Sequence, residues 1–186
     1  MANVFDVADF FIDIANKNTD DTLTNLKLNK LLYYAQGEYL ARTGKPLFDD
    51  EIQAWDYGPV VPVIYYKYKR NNANEITPIT DISPEYSFEV FSFEELSVLL
   101  DVVREKGQYT GYKLISMTHS ESPWKNAYKP NLKGTIISND SLMEFFSSHP
   151  IKKFEISKKV KRLKKIPKQD YYSNEDEQWK DIENED

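Results

Sequence analysis

The sequence predicts a single, mainly α-helical domain with a small β element, an α+β fold in which helices dominate. Apolar residues recur at three- and four-residue spacing in several segments of residues 1–150, and typical cap residues stand at the ends of those segments. One stretch, residues 47–55, is instead typical of extended chain. With 186 residues, 40% of them apolar and 14% aromatic, the chain can bury one well-packed core.

Residues 4–15 predict the first helix, with Asn3 suited to cap it. Its apolar stripe consists of Val4, Val7, Ala8, Phe11, Ile14 and Ala15. Asp6, Asp9 and Asp13 lie on the other side and interrupt the apolar run, which excludes a signal peptide or a membrane span here. We therefore expect a cytoplasmic protein with no membrane partner.

The second helix is predicted to begin near Thr24 and to end at Gly44. Its buried stripe consists of Leu28, Leu31, Leu32, Ala35 and Tyr39, and Tyr34 is assigned to the core with it. Lys30, Tyr33 and Gln36 lie off that stripe, so we expect their side chains to be available to a partner.

A strand, a turn and a short helix are predicted over residues 47–70. Residues 47–55 predict a short strand or hairpin arm that ends at Trp55. Asp-Tyr-Gly-Pro at 56–59 predicts a turn, because Gly58 tolerates positive φ and Pro59 cannot extend a strand ladder. A helix follows over 60–70 with proline in its first turn. We expect Trp55, Gly58 and Pro59 to be mainly structural.

Three further helices and a short strand complete the prediction. Ser-Phe-Glu-Glu at 92–95 is a capping box that opens a helix ending at Gly107. The next helix runs from Thr110 to Thr118 and is stopped at Pro123. Gly-Thr-Ile-Ile-Ser at 134–138 favours a strand of two or three residues, and Ser138 or Asn139 caps a last helix that His149 and Pro150 end.

The charge distribution divides the chain into three parts. Residues 1–150 carry a net charge of −7 and form the predicted domain. Residues 151–169 carry +8, a basic extension docked on the core or flanking it, and residues 170–186 carry −7, an acidic tail in which order is not expected. The acidic body argues against a nucleic-acid partner. The chain has no cysteine, and its two histidines lack metal-ligand spacing, so neither a metal nor another cofactor is predicted.

Three motifs stand together in order: "LTNLKLNKLLYYAQG" at 23–37, "AWDYGPVVPVIY" at 54–65 and "LISMTHSESPW" at 114–124. In this combination the chain resembles the Panacea domain family, the SocA-like and phage-associated proteins that serve as antitoxins in bacterial toxin–antitoxin pairs. The resemblance covers about residues 1–150.

The resemblance implies a bacterial or prophage antitoxin that binds a cognate toxin protein and blocks it. It implies toxins of diverse chemistry, many of which stop translation and some of which act on nucleotides or tRNA. It brings no catalytic residues and no cofactor, so we expect a protein that is not an enzyme.

We expect partner contact at Tyr33 and Gln36 of the second helix, at Tyr57 in the turn, and at Tyr65 and Tyr66 of the short helix that follows. Tyrosine suits an interface because it combines a large contact area with a polar tip. His119 completes the predicted contact region.

The stretch "THSESPW" at 118–124 has a structural interpretation and two functional ones. As a structural latch, Thr118 and His119 lie at a helix C-terminus, where the histidine bonds free carbonyls, while Pro123 ends the helix and Trp124 returns to the core. The alternatives are partner contact, or a hydrolase or transferase that uses His119 with Glu121.

Three further alternatives concern the role of the whole chain and its C-terminal part. The chain could be a proteolytic adaptor that delivers the toxin to a protease, or it could bind nucleic acid through residues 152–168. Tyr171, Tyr172 and Trp179 among the acids of the tail could also mimic a toxin's nucleotide or RNA substrate, in which case removing residues 170–186 would weaken neutralisation.

Overall fold

The structure is a computed structural model of the chain, and it describes residues 1–17, 23–71, 75–76, 90–132 and 134–153. Met1–Lys153 form one compact unit. The predicted character of the tail, and of the basic extension after Lys153, concerns residues outside those described. The division of the chain near residues 150 and 169 therefore stays a prediction.

Seven α-helices are present in the described part of the chain, so the mainly helical fold is confirmed. They are α1 (Val4–Lys17), α2 (Asn25–Thr43), α3 (Pro62–Lys67), α4 (Phe93–Val102), α5 (Gly111–Ser120), α6 (Ser122–Ala127) and α7 (Asn139–Ser148). A 3₁₀ turn, Lys69–Asn71, follows α3, and a π-helical segment, Val103–Gly107, continues α4. None of the helices found in these ranges is long and apolar enough to cross a membrane.

The helix ends are set by the local signals that the sequence carries. The Thr24 hydroxyl accepts a bond from the Lys27 amide at 3.2 Å, and Gly44 ends α2 with φ of 69°. Ser92 and Glu95 form the predicted capping box, with bonds of 3.2 and 2.7 Å. Thr110 and Ser138 cap α5 and α7 in the same way.

A three-stranded antiparallel sheet lies beside α2 in the strand order β2-β1-β3. Its strands are β1 (Gln53–Trp55), β2 (Gly58–Val60) and β3 (Thr135–Ile136). Only the last three residues of the predicted 47–55 element are strand. The turn predicted at 56–59 is also too long, since Gly58 and Pro59 belong to β2 and Pro59 pairs with Ala54. An edge strand tolerates proline because one side of its backbone needs no ladder partner.

The region after α5 differs from the prediction. α5 continues to Ser120, and α6 begins at once with Ser122. Pro123 does not stop a helix but lies in the first turn of α6, where its missing amide hydrogen is not needed. Trp124 is 8% exposed, which confirms its predicted return to the core.

Helix α2 lies at the centre of the compact unit and contacts α1, α3, α4, α5, α7 and β2. It packs extensively against α7, where Gly37 leaves room for the Phe146 ring. A Cβ at position 37 would lie only 2.2 Å from that ring, so the two helices can meet at this distance only over a glycine. This central position exposes very little of α2 to solvent.

Candidate functional site

The polar residues of α2 are buried and bonded to other parts of the chain. Lys30, Tyr33 and Gln36 are at most 1% exposed, so the prediction that these side chains are available to a partner is wrong. The reason is the central position of α2, because neighbouring elements cover the face that a single apolar stripe would leave to solvent. Whether Tyr33 and Gln36 take part in toxin binding stays a prediction.

Near its N-terminus, α2 holds the β1–β2 hairpin and α3 through their backbone atoms. The Asn25 side-chain amide donates to the Tyr65 carbonyl at 3.0 Å, and the Asn29 side-chain carbonyl accepts from the Val61 amide at 2.9 Å. The Lys30 ammonium donates to the Pro59 carbonyl at 2.9 Å. These three bonds fix the hairpin and the start of α3 on α2.

Gly58 allows the hairpin to lie this close to α2. Its φ is 94°, in the left-handed region that glycine adopts most readily. A Cβ at this position would lie 2.7 Å from Lys30 Cε and 2.9 Å from the Thr118 hydroxyl oxygen. Thr118 bonds the Leu114 carbonyl of its own helix at 3.0 Å, so it has little freedom to yield. The structural role predicted for Gly58 and Thr118 fits this geometry.

Further along α2, two tyrosines bind one buried carboxylate. The hydroxyls of Tyr33 and Tyr34 donate to the two Glu121 oxygens, each at 2.8 Å. Burial raises the pKa of Glu121, while these two bonds oppose the rise. Burial, with the Glu121 charge second, raises the pKa of both tyrosines above the usual value of 10. The arrangement ties α2 to the start of α6.

Gln36 joins α2 to the segment before β1. Its side-chain carbonyl accepts from the Leu47 and Phe48 amides at 2.9 and 3.2 Å, and its amide donates to the Phe48 carbonyl at 3.0 Å. These contacts satisfy the backbone of a segment that is buried without being a strand.

His119 stacks on Trp124, with ring centroids 3.9 Å apart, and Trp124 stacks in turn on Tyr128 at 4.4 Å. The Trp124 indole donates to the Trp55 carbonyl at 3.0 Å, and the Tyr128 hydroxyl to Asp56 at 3.0 Å. His119 Nε2 is buried and has no hydrogen-bond partner within the described ranges, so the predicted bond to helix carbonyls is wrong. Burial, and secondarily the Lys30 charge, lowers the pKa of His119.

A cleft of about 350 Å³ opens between the N-terminal end of α2, the hairpin and α3. Its polar end consists of Asn25, Asn29 and Lys30. Its remaining wall, which is mainly apolar and aromatic, consists of Leu26, Trp55, Asp56, Tyr57, Val60, Tyr65, Lys69 and Leu132. The structure therefore places Trp55, Tyr57 and Tyr65 of the predicted residues around one concave surface.

The rim of this cleft is rich in exposed aromatic area. Tyr57 is 68% and Tyr66 61% exposed, and Leu132 is 54% exposed. The rings of Trp55 and Tyr65 meet edge to face at 4.9 Å, and those of Tyr65 and Tyr66 at 5.4 Å. We define as the aromatic rim the three aromatic residues that line the cleft, Trp55, Tyr57 and Tyr65, together with Tyr66, which adjoins Tyr65.

Nothing in the described geometry assembles the enzyme-like arrangement considered for His119 and Glu121. The Glu121 carboxylate is occupied by two tyrosine hydroxyls, whereas the His119 ring is stacked on Trp124. Among the residues that the structure describes, no group of three or more histidines and carboxylates could hold a metal ion.

Lys30 is the feature that the sequence-based prediction missed. It stands in a run of α2 where each polar side chain could belong to a solvated face, and its role depends on Pro59, 29 positions away. The contact could have been predicted from a polar run in a long helix together with the Gly-Pro step. Glycine permits a close approach of the backbone, which would bring a carbonyl within reach of a lysine on the helix.

Comparison with protein families matches residues 28–125 to the model described as antitoxin SocA-like, Panacea domain. That range contains most of the α2 contacts and both strands of the hairpin. Among curated proteins, the chain is similar to the antitoxin SocA of Caulobacter vibrioides, with 40% identity over 70 residues. The alignment spans 38% of this chain and 37% of that protein, well under half of either. No solved structure matches the chain.

Proposed function

Because the chain belongs to the SocA-like Panacea-domain antitoxin family, we propose that it neutralises a cognate toxin by binding it directly through the aromatic rim. The observation that carries the choice of surface is the arrangement of Trp55, Tyr57 and Tyr65 around one cleft, with the exposed Tyr66 packed against Tyr65 beside it. Large aromatic side chains around a pocket are typical of the residues that dominate binding energy at protein interfaces.

The way the rim is held supports a binding role. Asn25, Asn29 and Lys30 hold the hairpin and α3 by backbone atoms, so the scaffold is fixed before a partner arrives. A preorganised surface loses less conformational entropy on binding. Tyr57 and Tyr66 contribute most of the exposed area and are therefore the first residues to test.

The direct test is growth rescue in bacteria. The open reading frame next to this one is expressed with and without the full chain, and surviving colonies are counted. We expect the neighbour to be toxic alone and harmless with the chain. Toxicity that the chain does not relieve, or a harmless neighbour, would contradict the proposal.

The surface is tested by Tyr57→Ala combined with Tyr66→Ala. We expect this variant to fold, because both side chains are mainly exposed, and to lose rescue and toxin binding by at least tenfold. Phe93→Ala is a matched control, since Phe93 is 38% exposed and lines a separate cleft with Tyr39 and Arg42, about 20 Å away along α2. Equal loss of rescue in both variants would contradict the choice of surface.

Direct inhibition and delivery to a protease differ in the fate of the toxin. Inhibition leaves the half-life of the toxin unchanged in the presence of the chain, whereas delivery shortens it. We propose inhibition, and a shortened half-life that depends on a cellular protease would favour the adaptor instead. His119→Gln tests the enzymatic alternative. A hydrolase or transferase that uses His119 would lose its activity in this variant, whereas neutralisation by binding needs no imidazole for catalysis.

A further inference from the structure

Lys30 is a buried basic side chain that forms no ion pair with a described carboxylate. Its side chain is 0% exposed, and within the described ranges its ammonium has one acceptor, the Pro59 carbonyl at 2.9 Å. An ammonium has three N–H donors, so two of them have no acceptor among the described residues. Buried cations are usually paired with a carboxylate, which makes this position unusual.

The groups around Lys30 do not supply the missing anion. From the hairpin, Asp56 lies on the cleft wall, but its carboxylate accepts from the Tyr128 hydroxyl and forms no ion pair with Lys30. From α5 the neighbouring ionisable group is His119, and from the 3₁₀ turn it is Lys69 at the rim of the cleft. Among the described residues, the cleft wall therefore has two basic side chains, Lys30 and Lys69, and a single acid, Asp56.

The polar end of the cleft offers further donors. Asn25 uses one N–H of its side-chain amide on the Tyr65 carbonyl, and the other has no partner among the described residues. Asn29 is fully used, because its amide donates to both Asn25 oxygens and its carbonyl accepts from Val61. An anion at this end would thus meet the Lys30 ammonium and the Asn25 amide together.

We propose that the cleft receives an acidic side chain of the toxin, with the carboxylate bound by Lys30 and Asn25 and the adjoining apolar atoms packed on Trp55, Tyr65 and Leu132. This inference rests on the proposed function for the identity of the partner. The donors and the walls indicate a carboxylate, because the few donors lie beside an apolar and aromatic wall that suits an anionic group carried on apolar atoms.

Contact with Lys30 requires a local movement of the groups that cover it, since its side chain is 0% exposed and its end lies against Gly58, Pro59 and Thr118. The volume of about 350 Å³ exceeds that of one acidic side chain, which leaves room for the apolar atoms of its neighbours.

Binding of a carboxylate here takes up a proton near neutral pH. Burial lowers the pKa of Lys30 from 10.5 to about 7, so above that pH the amine is mainly neutral in the free protein. A bound anion favours the charged amine, and the affinity therefore falls as the pH rises above 7, by up to about tenfold per unit. The pKa of His119 lies below its usual value, so this neighbouring group does not account for a pH dependence between pH 7 and pH 9.

The test uses small probes on the full chain and needs no toxin. Phenylacetate presents a carboxylate on an apolar ring, and phenylacetamide has the same shape without the charge. Binding is measured by calorimetry at pH 6.5 and pH 9 in two buffers of different ionisation enthalpy. We expect phenylacetate to bind at least tenfold more tightly than the amide at pH 6.5, where the amine is already mostly charged and little proton is taken up. As the pH rises through 7 the proton uptake should increase, and the ratio of affinities should approach one at pH 9.

Two variants locate the effect. Lys30→Met keeps the length of the side chain and is expected to abolish the preference for phenylacetate, whereas Lys69→Met, at the rim, keeps most of it. If Lys30→Met fails to fold, the proton uptake and pH dependence of the wild-type chain decide the question. Equal affinity for the two probes, no binding of either at millimolar concentration, or loss of the preference in Lys69→Met alone would overturn the proposal.

Inorganic phosphate is the third probe and separates the class of anion. Binding of phosphate more tightly than phenylacetate would contradict a carboxylate site. The probe experiment and the growth-rescue experiment can fail separately. Rescue without selective phenylacetate binding would contradict only the carboxylate proposal. Selective probe binding without rescue would remove the antitoxin proposal and leave an anion site in the cleft.

Discussion

The two ends of α2 each bury positive charge, but they handle it differently. At the C-terminal end, Arg42 donates to Glu38 at 2.7 Å and to Asp101 at 2.8 Å, and Glu38 also accepts the Ile151 amide at 3.0 Å. At the N-terminal end, Lys30 has only a backbone carbonyl among the described residues. In the first cluster two carboxylates balance the cation, and the cluster joins α2 to α4 and to the residues after α7. At Lys30 no carboxylate among the described residues does so.

Removing Arg42 is expected to have the largest effect on stability, and it tests the C-terminal end of α2. In Arg42→Met, the carboxylates of Glu38 and Asp101 stay buried without their cation, and loss of one partner from a buried pair costs about 3–5 kcal/mol. We expect the free energy of unfolding, measured with urea at pH 7, to fall by about that amount. Arg70→Met, at an exposed arginine, serves as control and should change it by less than about 0.5 kcal/mol. Similar losses in the two variants would show that the buried network does not stabilise the fold.

The N-terminal end of α2 is tested by comparing how the free energy of unfolding of the wild type and of Lys30→Met depends on pH. The folded-state pKa of Lys30 is about 7, below its usual value of 10.5, so above pH 7 the unfolded chain binds one more proton than the folded chain. The free energy of unfolding of the wild type should therefore rise, relative to Lys30→Met, by about 1.4 kcal/mol per unit between pH 7 and pH 9. Urea unfolding of both proteins across this range measures the slope. A constant difference would mean that Lys30 keeps its ordinary pKa in the folded protein.

Gly58→Ala tests the contact between the hairpin and Lys30. Its φ of 94° strains any other residue, and the new Cβ would overlap Lys30 Cε and the Thr118 hydroxyl, so we expect a loss of about 2 kcal/mol. Gly44→Ala is the matched control, because Gly44 also has a positive φ, of 69°, but a Cβ added there would meet nothing within 4 Å. In Gly44→Ala the free energy of unfolding should fall only by the cost of a non-glycine residue at positive φ, about 1 kcal/mol. Equal losses, measured by thermal unfolding, would show that close packing on Lys30 is unimportant.

Lys69→Met gives the smallest expected effect. Lys69 is exposed, and its ammonium lies 5.9 Å from the centre of the Tyr66 ring, a contact worth about 0.5 kcal/mol at most on an exposed surface. We expect thermal unfolding to be nearly unchanged. A loss as large as that of Gly58→Ala would mean that the rim of the cleft, and not its interior, carries the important positive charge.

Sequence reasoning succeeded where structure depends on near neighbours. The caps at Thr24, Ser92 and Ser138 bond amides three residues away, so each signal is complete within a few positions of the chain. The fold class followed from these local signals and from the apolar stripes between them.

The same reasoning failed where burial depends on distant partners. Tyr33 bonds Glu121, 88 positions away, and a helical stripe cannot show that a second face is covered. The stripe rule assumes one buried and one solvated face, whereas α2 has neighbours on several sides. For the aromatic rim, the sequence indicated the residue types, but their meeting at one cleft depends on how α2 holds the hairpin.

The three bonds that fix the hairpin and α3 end on the main chain, at the Pro59 and Tyr65 carbonyls and the Val61 amide. None of them depends on the identity of an exposed side chain at the rim. The residues that face outwards can therefore be exchanged while the scaffold beneath them stays the same. Substitutions at a few outer positions should in this way change the chemistry of the presented surface without loss of the fold that presents it.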